Sequence, residues 1–460
     1  VIAKTKRTKP VCVYNPVNFE PESVLPKRLR RHADSARYVL HRIHWGQVTK
    51  KANERGFVPL KRAYLRSFIP HRIVRPLIGA LIDAEVIESD RYFVPGHKSY
   101  GYRFAGSYFR APVVRLPLSN TKLIEHITHE NRSECKKVRL DVHRYLRTQL
   151  KSLQIDLDRA LVFLEHDEHR ELLKIPAFQI ATGERLFSVC RYGRIHTDLT
   201  HLKSTLRPCL HVDGKRLVSI DIRNSQPLFL ALLILIRRLR GETFLSLSTL
   251  GTQSNPYRTL EDRIATIISP LPPPTPLSNT MGAKPISVAD SPFETRLTTD
   301  EHCRNMCPVN RDTLSLDEAR FLTLCECGQL YESLMEEAEI PVRRWAKEMI
   351  FEVLFGRNRS RSELKTRFAE LFPTVYDTVK QLKRKDHCRL AHLLQNLEST
   401  VVINRVCRRL MNEKVSPVFT IHDSILTTDA CVERVLDVFQ EVFAALGVAP
   451  SFHVTRYDQE

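Results

Sequence analysis

The chain has 460 residues, with 71 Lys and Arg against 52 Asp and Glu, a formal net charge of +19 and a pI near 9.6. At 42% hydrophobic and 27% charged it carries too much apolar material for a disordered chain, and its one-signed field points to a polyanionic partner. The longest apolar run, Pro227 to Ile236, is ten residues and closes on Arg237 and Arg238, too short to span a bilayer, so an integral membrane protein is excluded.

No charged-then-apolar leader opens the chain, and the eleven cysteines are scattered and odd in number. Both point to reduced thiols in an intracellular protein, cytoplasmic and nucleoid-associated if it is bacterial or viral. A sequence that begins at Val1 rather than Met is expected to lack its true N-terminus.

The first 110 residues are basic. They hold 22 Lys and Arg against 8 Asp and Glu, or +14, which leaves 49 against 44 for the other 350. Helical patterns run through Lys27 to Ile43, Pro59 to Phe68 and Val74 to Glu85. Two aromatic-rich strands around a Pro95-Gly96 turn follow, within Ile87 to Phe104. Three helices and a hairpin resemble a winged-helix domain. Its third helix, with Leu77, Ile78, Leu81 and Ile82 on one side and Arg72 and Arg75 near its start, could enter a DNA groove, with Arg91, Lys98 and Arg103 on phosphates. A small protein-contact module is the equal alternative.

From about 118 to 185 the pattern is helical, with Leu123, Ile127, Val138, Val142, Leu146 and Leu150 at helix spacing. Next comes Leu217-Val-Ser-Ile-Asp-Ile222, a β-branched strand presenting Asp221 near its end, then a helix capped by Asn224 or Ser225 with Pro227 in its first turn. A carboxylate there lies beside a helix N-terminus, although an aspartate ending a strand is often only a cap. Between about 240 and 312 periodicity gives way to Ser, Thr and Pro, including Leu271-Pro-Pro-Pro-Thr-Pro276, which reads as a flexible insertion. His302, Cys303, Cys307, Cys325 and Cys327 could supply four zinc ligands, but their spacing holds no CxxC pair.

Pro341 to Gly356 reads as a helix with Pro in its first turn and Gly at its end. At 100° per residue, Trp345, Ala346, Met349, Ile350, Val353 and Leu354 share an apolar arc. Arg343, Arg344, Lys347, Phe351 and Phe355 share the opposite arc, a row able to grip phosphates and stack on a base or sugar, unless a second apolar neighbour covers the two rings. Last, Val418-Phe-Thr-Ile-His-Asp-Ser-Ile-Leu426 predicts a hairpin that lifts Asp423 at its polar tip. Asp221 and Asp423, 202 residues apart, would bind two divalent metals for in-line phosphoryl transfer if their strands are adjacent.

The order of these segments resembles the family A (Pol I-like) DNA polymerases, and more distantly the phage-type single-subunit RNA polymerases, over about residues 187 to 430. The helix match is the most specific: Arg343, Lys347, Phe351 and Phe355-Gly356 fall at the spacing of the fingers helix that holds the incoming triphosphate. Tyr192-Gly-Arg-Ile-His-Thr197 is similar to the Gly-Arg motif at the palm entry, which makes Arg194 a primer or minor-groove contact, and Arg207 is similar to the arginine before the catalytic strand. Gln395-Asn-Leu-Glu-Ser-Thr400 is similar to the Gln-Gly-Thr motif, with Gln395 and Glu398 on primer or template and Glu398 at the glutamine position, and His422 belongs to the His-Asp pair.

The resemblance implies two Mg²⁺ ions on Asp221, Asp423 and the carbonyl of Ile222. It puts Arg343 and Lys347 on the β- and γ-phosphates, Phe351 on the nucleotide, and Phe355 in place of the family's usual tyrosine. Gln226 stands five residues after the catalytic aspartate, where the family has a glutamate that obstructs a ribose 2′-hydroxyl. Ser424 follows the His-Asp pair as in RNA polymerases, whereas Phe351 and Gln226 lean toward DNA synthesis.

The implied fold is α+β, a right-hand polymerase with an antiparallel-sheet palm and helical fingers and thumb. Its layout is a basic winged-helix-like domain at 1–110, a helical thumb-like region at 111–186, palm at 187–239, the insertion at 240–312, fingers at 313–390 and palm again at 391–460. The expected function is template-directed addition of deoxynucleotides to a DNA primer-template by a monomer without a proofreading exonuclease, serving a mobile element, plasmid or virus. The alternatives are a single-subunit RNA polymerase or primase-like enzyme, and a non-catalytic DNA-binding replication initiator.

Overall fold

The computed structural model describes residues 10–95, 98–136, 138, 140–239 and 311–457. Nearly all of the expected insertion at 240–312 lies outside them, as do Gly96 of the predicted turn and His302, Cys303 and Cys307 of the zinc reading. The fold is α+β, with sheets built on antiparallel strand pairs. No described helix is long and apolar enough to cross a membrane. Two compact units divide the chain: Val1–Val189, Ile195–Leu217 and Tyr457–Glu460 form the first, and Cys190–Arg194 with Val218–Arg456 the second.

In the first unit, strand β1 (Cys12–Pro16) is followed by helices α1 (Pro21–Val24) and α2 (Ala33–Val48), strand β2 (Val58–Pro59) and helices α3 (Arg62–Leu65) and α4 (His71–Asp83). Strands β3 (Ile87–Ser89), β4 (Gly101–Phe104) and β5 (Val113–Pro117) come next. β4 is central in a sheet ordered β2-β4-β3, and β1 pairs with β5. α4 buries Val74, Leu77, Ile78 and Leu81, a spacing that puts one stripe against the core and leaves Arg72 and Arg75 exposed. The core joins these residues to Leu40 and Ile43 of α2, Tyr102 and Phe104 of β4, and Leu123 and Ile127 of α5 (Thr121–Lys136).

The rest of the first unit consists of α6 (Asp141–Gln149), β6 (Gln154–Ile155), α7 (Leu157–Phe163), α8 (Arg170–Thr182), β7 (Phe187–Val189), β8 (Ile195–Thr197), α9 (Asp198–His201), β9 (Leu210–Val212) and the opening residues of β10 (Lys215–Ile222). Val138, Val142, Leu146 and Leu150 are buried here, as their spacing predicts.

Two histidines one turn apart on α2 fasten β1. The Tyr14 amide donates to His41 Nδ1 at 3.3 Å, so that nitrogen is unprotonated, while His44 Nδ1 lies 3.1 Å from the Tyr14 carbonyl and must carry the proton. Burial holds His41 down to about 3 and His44 to about 4. The unfolded chain therefore takes up protons near pH 6.5 that the folded chain refuses, and stability is lost as pH falls through that value. For His44 alone the loss by pH 4 is about 3 kcal/mol. Thermal melts should show this fall between pH 7 and 4, and His44→Gln should flatten it; an unchanged profile in that variant would remove His44 as its source.

The second unit continues β10 from Val218. It adds α10 (Ser225–Leu239), α11 (Leu316–Glu326), α12 (Leu330–Glu337), α13 (Arg343–Phe355), α14 (Glu363–Leu371), α15 (Pro373–Leu382), α16 (Arg389–Val401), α17 (Arg408–Asn412), β11 (Phe419–Ile421), β12 (Ser424–Thr428), α18 (Val432–Ala444) and β13 (Phe452–Arg456). The strand order is β11-β12-β10, with β13 also paired to β10 in the register Asp221↔His453 and Ile222↔Phe452. α10 is buried continuously from Pro227 to Leu235, so its long apolar run is a core helix. Its last turn is tied to α11 by Arg238, whose Nε and Nη2 donate to the buried Glu318 carboxylate at 3.0 and 2.9 Å.

Candidate functional site

The two aspartates reach neighbouring strands by different local routes. The β-branched run of β10 carries Asp221 to its penultimate position, where the Ser219 hydroxyl donates to Oδ2 at 2.7 Å. The chain then turns through Asn224, held at φ +50°, into α10. Asp423 sits in the two-residue turn between β11 and β12, opened by His422 at φ +56°, as tight hairpins require. The Ser424 hydroxyl closes that turn by donating to the Ile421 carbonyl at 2.9 Å, so the residue that resembles the RNA polymerases does structural work in the hairpin.

Because β12 neighbours β10, the two carboxylates lie close enough to feel each other. Burial raises the Asp423 carboxyl above its ordinary range, and the Asp221 charge raises it further. Half-buried, mutually repelling carboxylates are hard oxygen donors, and this fits divalent magnesium.

A second cluster lies beside them. Gly193 takes φ +81° in a tight turn, and a Cβ there would come within 3.0 Å of Ser399 on α16. Ser399 fastens the turn by donating to the Tyr192 carbonyl at 2.9 Å, and the Tyr192 ring stacks on His392 with centroids 4.4 Å apart. Thus placed, Arg194 grips Glu398 with both arms, Nε to Oε1 at 2.8 Å and Nη2 to Oε2 at 2.6 Å. Gln226 Nε2 donates to the same Oε2 at 2.6 Å. Glu398 is only 1% exposed; burial raises its carboxyl to about 7, with the Arg194 guanidinium pulling it down and the Asp423 charge adding to the rise. Gln395, half-buried one turn earlier on α16, lends its carbonyl to Ser399 at 2.6 Å.

α13 buries Ala346, Met349, Ile350, Val353 and Leu354 and exposes Arg343, Arg344 and Lys347. Trp345 is a correction to the predicted arc: it is 49% exposed, because it lies about 100° from Ala346 at the edge of the stripe, in the first turn. Phe351 is 44% exposed, with Lys347 Nζ 5.7 Å from its ring centre and the half-buried Phe355 ring 5.6 Å away. Arg343 donates to Glu332 at 2.8 Å and lies over Tyr331, and Arg344 pairs with Glu348. Both are exposed surface pairs, each worth less than about 1 kcal/mol, which a polyphosphate can displace.

The far end of α13 is fixed by residues that sequence reasoning missed. The buried Lys383 ammonium donates to the Val353 and Gly356 carbonyls, and burial lowers it to about 8. A cation there opposes the helix dipole and satisfies carbonyls that the helix leaves open. In sequence Lys383 is one of a Lys-Arg-Lys run, and nothing marks it as the one that turns inward. Gly356 is a point of close approach: a Cβ would stand 2.6 Å from the Glu352 carbonyl and 3.0 Å from Lys365 Nζ. Gly356→Ala should therefore cost about 1–3 kcal/mol in urea unfolding, and a neutral result would rule out this crowding.

Ile222 is buried beside Asp221, and His422 is half-buried beside Asp423. Asp221, Ile222, Gln226, Arg194, Arg343, Lys347, Phe351, Phe355, Gln395, Glu398, His422 and Asp423 all belong to the second unit, whereas Arg207 belongs to the first. Cys325 is buried within α11, where burial pushes its thiol up.

Comparison with models of protein families gives no match, and comparison with curated proteins gives none. Among solved structures 31 chains match. One is the POL domain of Pol1 from M. smegmatis in complex with DNA primer-template and dNTP, 12% identical to this chain with a TM-score of 0.26. The match covers 72% of this chain and 65% of that one, so the chain spans less than two thirds of that domain's length.

Proposed function

We propose that this protein is a template-directed DNA polymerase that adds deoxynucleotides to a primer 3′-OH by phosphoryl transfer, without a proofreading exonuclease. The single observation that carries the reading is the pair formed by Asp221 on β10 and Asp423 in the turn that leads into the neighbouring β12, with the Asp221 charge felt at Asp423. In this reading Asp221, Asp423 and the Ile222 carbonyl hold two Mg²⁺ ions. When bound, these supply positive charge to the attacking hydroxyl and to the leaving pyrophosphate.

The chain's own residues do the rest. Lys347, for which no carboxylate partner is seen among the described residues, neutralises the triphosphate together with Arg343 once Glu332 is displaced. The exposed Phe351 ring packs on the nucleotide, Phe355 backs it, and Gln226 stands where a 2′-hydroxyl would enter. In this reading the β10, β11 and β12 sheet is the palm, α13 is the fingers helix, and the first unit supplies a thumb-like layer. Its α2, α3, α4 and β2-β4-β3 sheet form a winged helix that meets the template.

The test is primer extension with Mg²⁺ on a primed template, with dNTPs and rNTPs supplied separately. Extension with dNTPs is expected. Product from rNTPs alone, or without a primer, would establish the RNA polymerase or primase alternative, and DNA binding without any product the non-catalytic one. For the front region, Arg72 and Arg75 are exposed cations on α4. Replacing both with alanine should lower the slope of log affinity against log salt by about 2, roughly one for each lost phosphate contact. An unchanged slope in a filter-binding titration would take α4 off the phosphate backbone.

A further inference from the structure

We infer that Glu398 is a positioning residue for sugar selection: its carboxylate clamps the Gln226 amide in one orientation, and Arg194 balances the charge that makes the clamp strong. The inference rests on the polymerase reading above and goes beyond it in assigning the gate's rigidity to a residue that does not touch the nucleotide. Gln226 alone is a poor obstacle, because a glutamine has three rotatable bonds and an amide that can turn over. In this fold its Nε2 is bound at 2.6 Å to Glu398 Oε2, and the same carboxylate is held by Arg194 at 2.8 and 2.6 Å.

The chemistry of that arrangement is directional. An ionised carboxylate only accepts, so it takes the amide's N–H face and fixes where Oε1 must lie. A carboxylate buried to 1% exposure could not stay ionised without a partner, and a protonated one could donate to the amide and let it turn over. Arg194 is that partner, which gives it a role beside the primer end that needs no contact with the primer. A 2′-hydroxyl then meets a fixed side chain, whereas a deoxyribose meets nothing.

The experiment measures, at pH 8, kcat and KM for single dNTP and rNTP additions on a primed template by the unchanged protein, Gln226→Ala, Glu398→Ala and the double variant. Glu398→Ala is suited to this because the cation it strands, Arg194, is 18% exposed at its side chain and can turn to water. Each single variant should raise the rNTP-to-dNTP ratio of kcat/KM by about tenfold, the size of one charge-assisted hydrogen bond, and the double variant should add little to the larger single effect.

A ratio unchanged in Glu398→Ala while dNTP extension persists overturns the inference and leaves the polymerase reading standing. Full additivity of the two variants overturns it as well. Failure of the unchanged protein to extend any primer sinks both. If Glu398→Ala does not fold, the exchange Gln226→Glu with Glu398→Gln keeps one carboxylate and one amide in the pair. It should return the ratio to within a few-fold of the unchanged protein, whereas Gln226→Glu alone sets two carboxylates against each other. An exchange variant as permissive as Gln226→Ala refutes the clamp.

Discussion

Asp221→Asn and Asp423→Asn should each lower primer extension by on the order of 10³-fold or more, with a melting temperature at neutral pH no lower than that of the unchanged protein. The rate effect follows from charge. In the polymerase reading each carboxylate would neutralise part of a divalent pair, and losing it would remove several kcal/mol of transition-state stabilisation, where about 4 kcal/mol is already 10³-fold. The stability effect runs the other way. Asp423 is held above its ordinary range by burial and by Asp221, so the folded state keeps its proton to a higher pH than the unfolded chain does. Its contribution to stability is therefore lost as pH rises through the carboxylate range, and a neutral asparagine avoids that loss. Single-nucleotide kinetics paired with thermal melts at pH 7.5 check both halves. Activity lost together with a clearly lower melting temperature would mean that the aspartates are structural.

The sequence makes these two aspartates legible because each is marked locally. Asp221 stands near the end of a β-branched run, Asp423 occupies the polar gap of a hairpin, and 3.6-residue periodicity separates the buried and exposed faces of α13. Their coming together is a matter of strand order, β12 beside β10, which no local pattern encodes. The Glu398 network was less legible still. Gln226 and Arg194 lie 172 and 204 residues away from Glu398 along the chain. What the sequence does show is a carboxylate set among Leu394, Leu397 and Val401, all of which turn out to be buried. A charge on such a face demands a cation, but nothing local chooses among 71 lysines and arginines. The same limit hid Lys383 under α13, and hid the opposite tautomers of His41 and His44 at Tyr14, which follow only once β1 lies against α2.

Arg194→Ala should destabilise the protein by about 3–5 kcal/mol at pH 8, the range for stranding one member of a buried ion pair, and by less at pH 6. Glu398 carries the burden. It is 1% exposed and its carboxyl is already raised to about 7 by burial, with Arg194 the principal group holding it down. Without Arg194 the carboxyl rises further, so at pH 6 the folded variant keeps Glu398 protonated and avoids burying a bare charge. As pH rises to 8 the unfolded chain gives up that proton freely while the folded chain resists, and stability falls. Arg194→Lys should lie between the two, because an ammonium restores the charge but not the two-armed fork. Arg194→Ala combined with Glu398→Ala should recover most of the loss, since no charge is then left buried. Urea unfolding of the full chain at pH 6 and pH 8 reads all three. A loss independent of pH, or a double variant as unstable as Arg194→Ala, would show that Arg194 acts through its packing and not through Glu398.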